Sequence, residues 1–367
     1  MGEVGGDAHH MRAAFHPDRR HVYVTTLTQI SERQYGTHVR AFGYDPSDCS
    51  IGPLLASTRT GAETASNTRV YGLEVHPNGE WLYQSTASVR EIHHFELGDD
   101  RLPVPKDSYD TTQGGSVVCA QSRRLALHPD GRTLYSNCNN ADAGRGVELA
   151  LQVWAIESGG ALTFSEHHVL ENMDGGISDP VLHPSARWLY QPVGTRDTAA
   201  PRGPGAYILV FAVEPDGTLR LHDTTAVRVL TPEDSVLDVG QTQIFPSTFI
   251  VHPDGRSAYA TVHAILGDFE SFPHEIVRYQ LEGEGGRLVE VDRRLAALAT
   301  MYSSHHGGAL VRANEAFYLY SYLTDYDTTR GGVLQQYRIG ASHELIPLDP
   351  PFVATGLRDA RQPIVAR

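Results

Sequence analysis

One short signal recurs along this chain and constrains its fold more than any other feature. Phe15-His16-Pro17-Asp18, Val75-His76-Pro77-Asn78-Gly79, Leu127-His128-Pro129-Asp130-Gly131, Leu182-His183-Pro184-Ser185 and Val251-His252-Pro253-Asp254-Gly255 each precede an apolar run built around tyrosine, such as Trp81-Leu82-Tyr83 or Trp188-Leu189-Tyr190. Proline fixes φ, and Asp-Gly or Asn-Gly closes a tight turn, so each copy marks a chain reversal between two strands. The copies lie roughly 50 to 70 residues apart, a period that suits four-stranded propeller blades and is too long for solenoid units. A sixth copy, Val311-Arg312-Ala313-Asn314-Glu315 before Phe317-Tyr318-Leu319, has lost the His-Pro pair and kept the strands. Residues 361–367 align with 178–184 and read as a seventh inner strand.

The expected fold is therefore an all-β propeller of four-stranded antiparallel blades, with six full repeats and a seventh inner strand at the C-terminus. A terminal strand paired into the opposite terminal blade would close the ring and remove its edges. Residues 10–16 either form a competing inner strand or lie outside the ring. A single domain is expected over residues 9–367, preceded by a flexible segment, 1–8.

Composition narrows the function. No apolar run approaches the roughly 20 residues of a membrane span, and strands such as Val147, Leu149, Leu151 and Val153 alternate as half-buried strands do. The glycine-rich start lacks the basic and apolar regions of a secretory signal, which predicts a soluble, cytoplasmic protein. A formal charge of -14, spread along the chain, disfavours nucleic acid and anionic membranes as partners. Cys49, Cys119 and Cys138 are widely spaced, so reduced thiols are expected and Cys138 reads as a buried thiol rather than a nucleophile. Lys106 is the only lysine and falls on an expected outer strand, leaving little room for Schiff-base chemistry.

The short, uniform His-Pro turns mark one face as scaffold. The long, varied segments 27–37, 137–146, 193–205, 262–274 and 321–332 lie on the other, where a site for a small-molecule substrate is expected. Superposing the repeats gives two rows of equivalent positions. Five residues before the turn histidines stand Met11, Tyr71, Arg123, Ser178 and Ser247, with His306 and Arg361 at the matching places of the last repeats. Past the strand tyrosines stand Leu27, Ala87, Asn139, Gly194, His263 and Tyr322.

The catalytic candidates are His306 and His263, as proton carriers, and Arg123, as an anion anchor that alternatively pairs with Glu148 or Asp142. Tyr71, Arg361, Tyr322, His305, Tyr302, Asn139 and Arg69 are the candidate substrate contacts. His305 and His306 are followed by Gly307-Gly308, which lets a ligand approach the backbone. The five turn histidines read as structural, as do the rim pairs His93/His94 and His167/His168, each with one member facing solvent. No metal site is expected, since a calcium site needs converging Asp, Glu and Asn oxygens and of these the two rows supply only Asn139, and no cofactor is implied.

The motif Leu-His-Pro-Asp-Gly-Arg-Thr-Leu-Tyr at 127–135 and its copies resemble the lactonase-type propeller family, which includes 6-phosphogluconolactonase-like proteins and the fungal 3-carboxy-cis,cis-muconate lactonising enzyme. The resemblance implies a metal-independent, usually seven-bladed propeller. It also implies a histidine and arginines at the starts of inner strands, matched here by His306, Arg123 and Arg361, and a glutamate just after a second strand. That slot holds Gly194 in blade four, and His263 or Tyr322 fill it in other blades. The main functional expectation is acid-base ring closure, ring opening or isomerisation of a carboxylate- or carbonyl-bearing molecule. A lactone hydrolase is one alternative, and a protein-binding propeller using the aromatic segment 318–326 is another.

Overall fold

The computed structural model describes residues 12–31, 34–65, 70–86, 90–112, 121–140, 148–170, 173, 177–195, 205–227, 243–265, 275–283, 286–295, 303–313, 315–325 and 333–354. At several strand ends, including Tyr71, Arg123, Asn139, His263, His305, His306 and Tyr322, it describes the backbone pairing alone.

Every repeat predicted from the turns becomes one sheet. Blade one contains β1 (Ala13–Phe15), β2 (His21–Ser31), β3 (Gln34–Asp45) and β4 (Ser50–Ala65); blade two β5 (Val70–Val75), β6 (Trp81–Thr86), β7 (Glu91–Leu97) and β8 (Pro103–Asp110). Blade three contains β9 (Gln121–Leu127), β10 (Thr133–Asn140), β11 (Glu148–Ile156) and β12 (Leu162–Leu170); blade four β13 (Val181–Leu182), β14 (Trp188–Thr195), β15 (Gly205–Val213) and β16 (Leu219–Val227). Blade five contains β17 (Gln243–Val251), β18 (Ser257–Ile265), β19 (Glu275–Glu282) and β20 (Arg287–Leu295); blade six β21 (Ser303–Ala313), β22 (Ala316–Asp325), β23 (Val333–Ile339) and β24 (Leu345–Ala354). Each is a four-stranded sheet in sequence order, and the six together make a β-propeller. Among the described residues no helix is long and apolar enough to cross a membrane.

The inner position of blade one belongs to β1, where Ala13 pairs with Val24 and Phe15 with Val22. Residues 361–367, expected to form a seventh inner strand, lie outside the described residues. The expected loop 27–37 is largely strand, because Leu27 pairs with Thr37 and β2 runs on to Ser31.

The chain divides into two compact units, Met1–Val169 with Asp216–Thr218, and Leu170–Pro215 with Leu219–Val365. In the first, Tyr23, Val39 and Ala41 of blade one pack on Leu73, Leu82 and Phe95 of blade two, and Tyr83 and Ile92 pack on Leu125, Leu134 and Trp154 of blade three. In the second, Tyr190, Ile208 and Val210 meet Phe249, Val277 and Tyr279, while Tyr259 and Ile276 meet Leu319, Tyr337 and Ile339. The cores thus lie between blades, and each large side chain buried there contributes about 1.5–3 kcal/mol.

Face-to-face packing corrects two expectations. Leu149 to Trp154 of β11 are buried without alternation, since neighbouring blades cover both faces of a middle strand. For the same reason His93 and His94 of β7 are both buried, with neither facing solvent. Burial holds His93 neutral, with its pKa pushed down to about 4. Exposure belongs to outer strands such as β8, where Lys106 pairs with Glu96 at 2.6 Å.

The repeat motif holds the blades together. In three turns the histidine ring donates from Nε2 to a glycine carbonyl in the next blade's turn: His16 to Gly79 at 2.9 Å, His76 to Gly131 at 2.7 Å and His183 to Gly255 at 3.0 Å. The strand tyrosine donates from its hydroxyl to a carbonyl in the following blade's third-to-fourth-strand turn. Tyr23 reaches Arg101 (2.9 Å), Tyr83 Gly160 (2.8 Å), Tyr190 Gly286 (3.1 Å) and Tyr259 His343 (2.9 Å). Tyr135 does the same to Gly217 at 3.0 Å, within the first unit. His-Pro-Asp-Gly and the tyrosine seven residues on are therefore one device for satisfying buried carbonyls between sheets.

The expectation of reduced thiols also fails. Cys138 is wholly buried and disulfide-bonded, so it offers no thiolate nucleophile. Cys49 is a free, exposed thiol, and Cys119 lies outside the described residues.

Candidate functional site

The row of positions five residues before the turn histidines has a backbone counterpart. In β5 the register passes from Val70–Thr86 to Gly72–Ser85, leaving Tyr71 as an extra residue. In β9 it passes from Ser122–Cys138 to Arg124–Asn137 around Arg123, and in β17 from Pro246–Val262 to Thr248–Thr261 around Ser247. In β21 the extra residue between His305–Leu323 and Gly307–Tyr322 is His306. Four inner strands thus carry a β-bulge at the residue the repeats single out. A bulge breaks the two-residue alternation and re-aims one side chain, which is why bulges gather beside functional sites.

Local packing explains how the bulges are tolerated. Gly72, next to Tyr71, lies so close to the next blade that a Cβ there would stand 2.6 Å from Leu125 Cγ. Gly308 brings β21 against β17, where an added Cβ would meet Thr248 and Ile250 at 3.2 Å. In blade four the inner strand is broken instead, with Ile177 bridging Val193 and the Ser178 N–H donating to the Pro192 carbonyl at 3.1 Å. The side chain of Gln191 fills that gap, donating to the carbonyls of Ser178 and Pro192, each at 2.9 Å.

Blade five brings a charge to the same level. Glu275 opens β19 opposite Val262, one residue from His263, and is fully buried. The Arg293 guanidinium donates to Glu275 and, through Nε and Nη2 at 2.9 Å each, to both oxygens of Glu290. One cation facing two carboxylates leaves Arg293 fully committed. Glu275 escaped the sequence reading, although a carboxylate resuming the strand after the long 266–274 segment was its available signal.

His263, His305 and His306 belong to the second unit and Arg123 to the first. Their side chains, like those of Tyr71, Asn139 and Tyr322, lie outside the described residues, and so do Arg69, Tyr302 and Arg361 altogether. Gly194 is described: it is buried on β14 opposite Ala206, so this slot in blade four carries no carboxylate. The aromatic segment lies, as far as Asp325, in the second strand of blade six, where Leu319 and Ser321 are buried and so face no docking surface.

No protein-family model and no curated protein sequence matches the chain. Solved structures do. A periplasmic gluconolactonase from Pseudomonas aeruginosa superposes with TM-score 0.62 over 91% of this chain and 82% of its own, at 15% identity. The chain has the fold of the lactonase-type propellers. A protein from Lactobacillus plantarum aligns with TM-score 0.63 over 95% of this chain and 86% of its own, at 12% identity. A protein provisionally named as a 6-phosphogluconolactonase, from Bacteroides uniformis, aligns with TM-score 0.51, 14% identity, and coverage of 78% and 81%. The seven blades implied by the family resemblance are not reached here, since the described residues form six sheets.

Proposed function

We propose that this chain is a hydrolytic enzyme that opens lactone rings. The supporting observation is the pair of bulges on β17 and β21, the inner strands of blades five and six, with His306 as the extra residue of β21, on a fold shared with a gluconolactonase. Fold alone does not assign a reaction, so the reading rests on the chemistry of that residue type in that place. In the proposed step, His306 takes a proton from water while the water oxygen attacks the lactone carbonyl. The carbonyl electrons move to oxygen, giving a tetrahedral oxyanion. Its collapse expels the ring oxygen, which recovers the proton from the imidazolium, and a hydroxy acid results.

His263, on the same unit as His306, is the second candidate for proton transfer, and His305 and Tyr322 are assigned to substrate contact. Ring closure or isomerisation, the main expectation from the sequence, is a different reaction in which no water is consumed, and the gluconolactonase likeness favours hydrolysis. The disulfide at Cys138 favours an oxidising compartment over the cytoplasm as the place of action.

Proton release from aldonolactones, followed with a pH indicator, tests the proposal. His306→Ala should lower kcat/KM by about 100- to 10,000-fold, the usual contribution of a general base, with an unchanged melting temperature. No turnover of any lactone by the wild type, or full activity in His306→Ala, would overturn it.

A further inference from the structure

On the scaffold face, blades five and six meet through a group that the repeat does not require. Three of the five turns that accept a tyrosine hydroxyl do so at a glycine of positive φ: Gly160, Gly217 and Gly286. Blade six has His343 in this role, held at φ 64, a conformation that glycine adopts freely and histidine does not. The backbone task is unchanged, so the imidazole is an addition. It points at the blade-five turn, with Nε2 3.1 Å from Asp254 Oδ2. The other oxygen of that carboxylate lies 2.8 Å from His252 Nδ1, and the two rings stand 4.5 Å apart.

We propose that His252, Asp254 and His343 form a binding site for a divalent transition-metal ion of the zinc class, which staples blade five to blade six. The three ligand atoms lie within 4.8 Å of one another, and two imidazoles with one carboxylate are a donor set that zinc, cobalt and nickel accept. The outer contacts orient the ring as metal ligands usually are. His343 Nδ1 is 2.7 Å from Ser257 Oγ, and the His343 backbone N–H donates to the Gly340 carbonyl at 3.0 Å, which fixes the turn that carries the ring. In the tautomer that gives Nδ1–H to Ser257, the Nε2 lone pair is available to a cation beside the Asp254 carboxylate.

Blades two, three and five present a turn glycine to the preceding histidine; blade six has Glu315 at the positive-φ position, and His252 packs its ring on Phe317 at 4.5 Å. The ligands are 36% exposed at Asp254 and 18% at His343, so an ion and its waters can enter. The similar group His16, Asp18 and His21 draws all three ligand atoms from one turn of one blade, and it serves as the internal control.

The experiment uses the full chain, stripped with chelator, titrated with Zn2+ by calorimetry and with Co2+ by visible absorption, with melting temperature read in parallel. The wild type should bind zinc and melt higher with it. His343→Gly, which suits φ 64, should weaken binding at least 10-fold and abolish the zinc-dependent rise, while His21→Ala should change neither. His343→Asn, also tolerant of this φ, repeats the test if the glycine variant folds poorly. Absence of zinc binding at micromolar concentrations, equal binding by wild type and the His343 variants, or loss of binding in His21→Ala would each overturn the proposal.

Discussion

The clasp between blades two and three makes a quantitative prediction. Gly131 sits at φ 74, and a Cβ built on it would lie 2.5 Å from His76 Nε2 and 2.6 Å from Cε1. Gly131→Ala therefore incurs two costs. Holding alanine in the left-handed region costs about 1–2 kcal/mol. Displacing the imidazole breaks the 2.7 Å bond to the Gly131 carbonyl and leaves buried groups unpaired, about another 1–3 kcal/mol. In a His76→Ala background the second cost is already present, so Gly131→Ala should add only the first. The double-mutant cycle should show a coupling of about 1–3 kcal/mol. Urea unfolding followed by circular dichroism and by tryptophan fluorescence measures it, with Trp81 a local reporter 4.5 Å from the His76 ring. Additive costs, within about 0.5 kcal/mol, would refute the idea that His76 and Gly131 act as one clasp.

Three further outcomes follow from the same structure. Tyr83→Phe and Tyr190→Phe should each cost about 1 kcal/mol, because each leaves a buried carbonyl without its donor; equal stability to wild type in denaturant melts would contradict this. His93, buried with Nε2 unpartnered, has its folded pKa lowered from 6.5 to about 4, so its contribution is complete above pH 6.5 and fades as pH falls toward 4. About 3 kcal/mol should be lost over that window, and His93→Leu should flatten the pH dependence of the melting temperature. The native protein should present a single rapidly reacting thiol, Cys49, and reduction of the Cys138 disulfide should cost about 2–4 kcal/mol, both readable by thiol titration and melting with and without reductant.

Much of the architecture was legible because it is written in local chemistry. His-Pro-Asp-Gly and the tyrosine seven residues later mark each hairpin, and all six expected sheets form. What periodicity could not carry is what one sheet does to the next. Alternation describes a strand with one wet face, whereas β7 and β11 are covered on both, so His93, His94 and Gln152 are all buried. The disulfide at Cys138 and the approach of His343 to Asp254 join residues that no spacing rule relates. The candidate site was legible in part. A bulge adds a single residue, invisible to a two-residue period, yet counting back from the turn histidines identified Tyr71, Arg123 and Ser247, the residues at which β5, β9 and β17 bulge.

The proposed lactone site lies at the bulges of β17 and β21. A crystal structure with a non-hydrolysable aldonolactam bound is the decisive test. The lactam should lie against His306 on β21, its carbonyl within hydrogen-bond distance of an inner-strand side chain. A lactam bound instead at the His-Pro turns or along the outer strands, with His306 untouched, would contradict it.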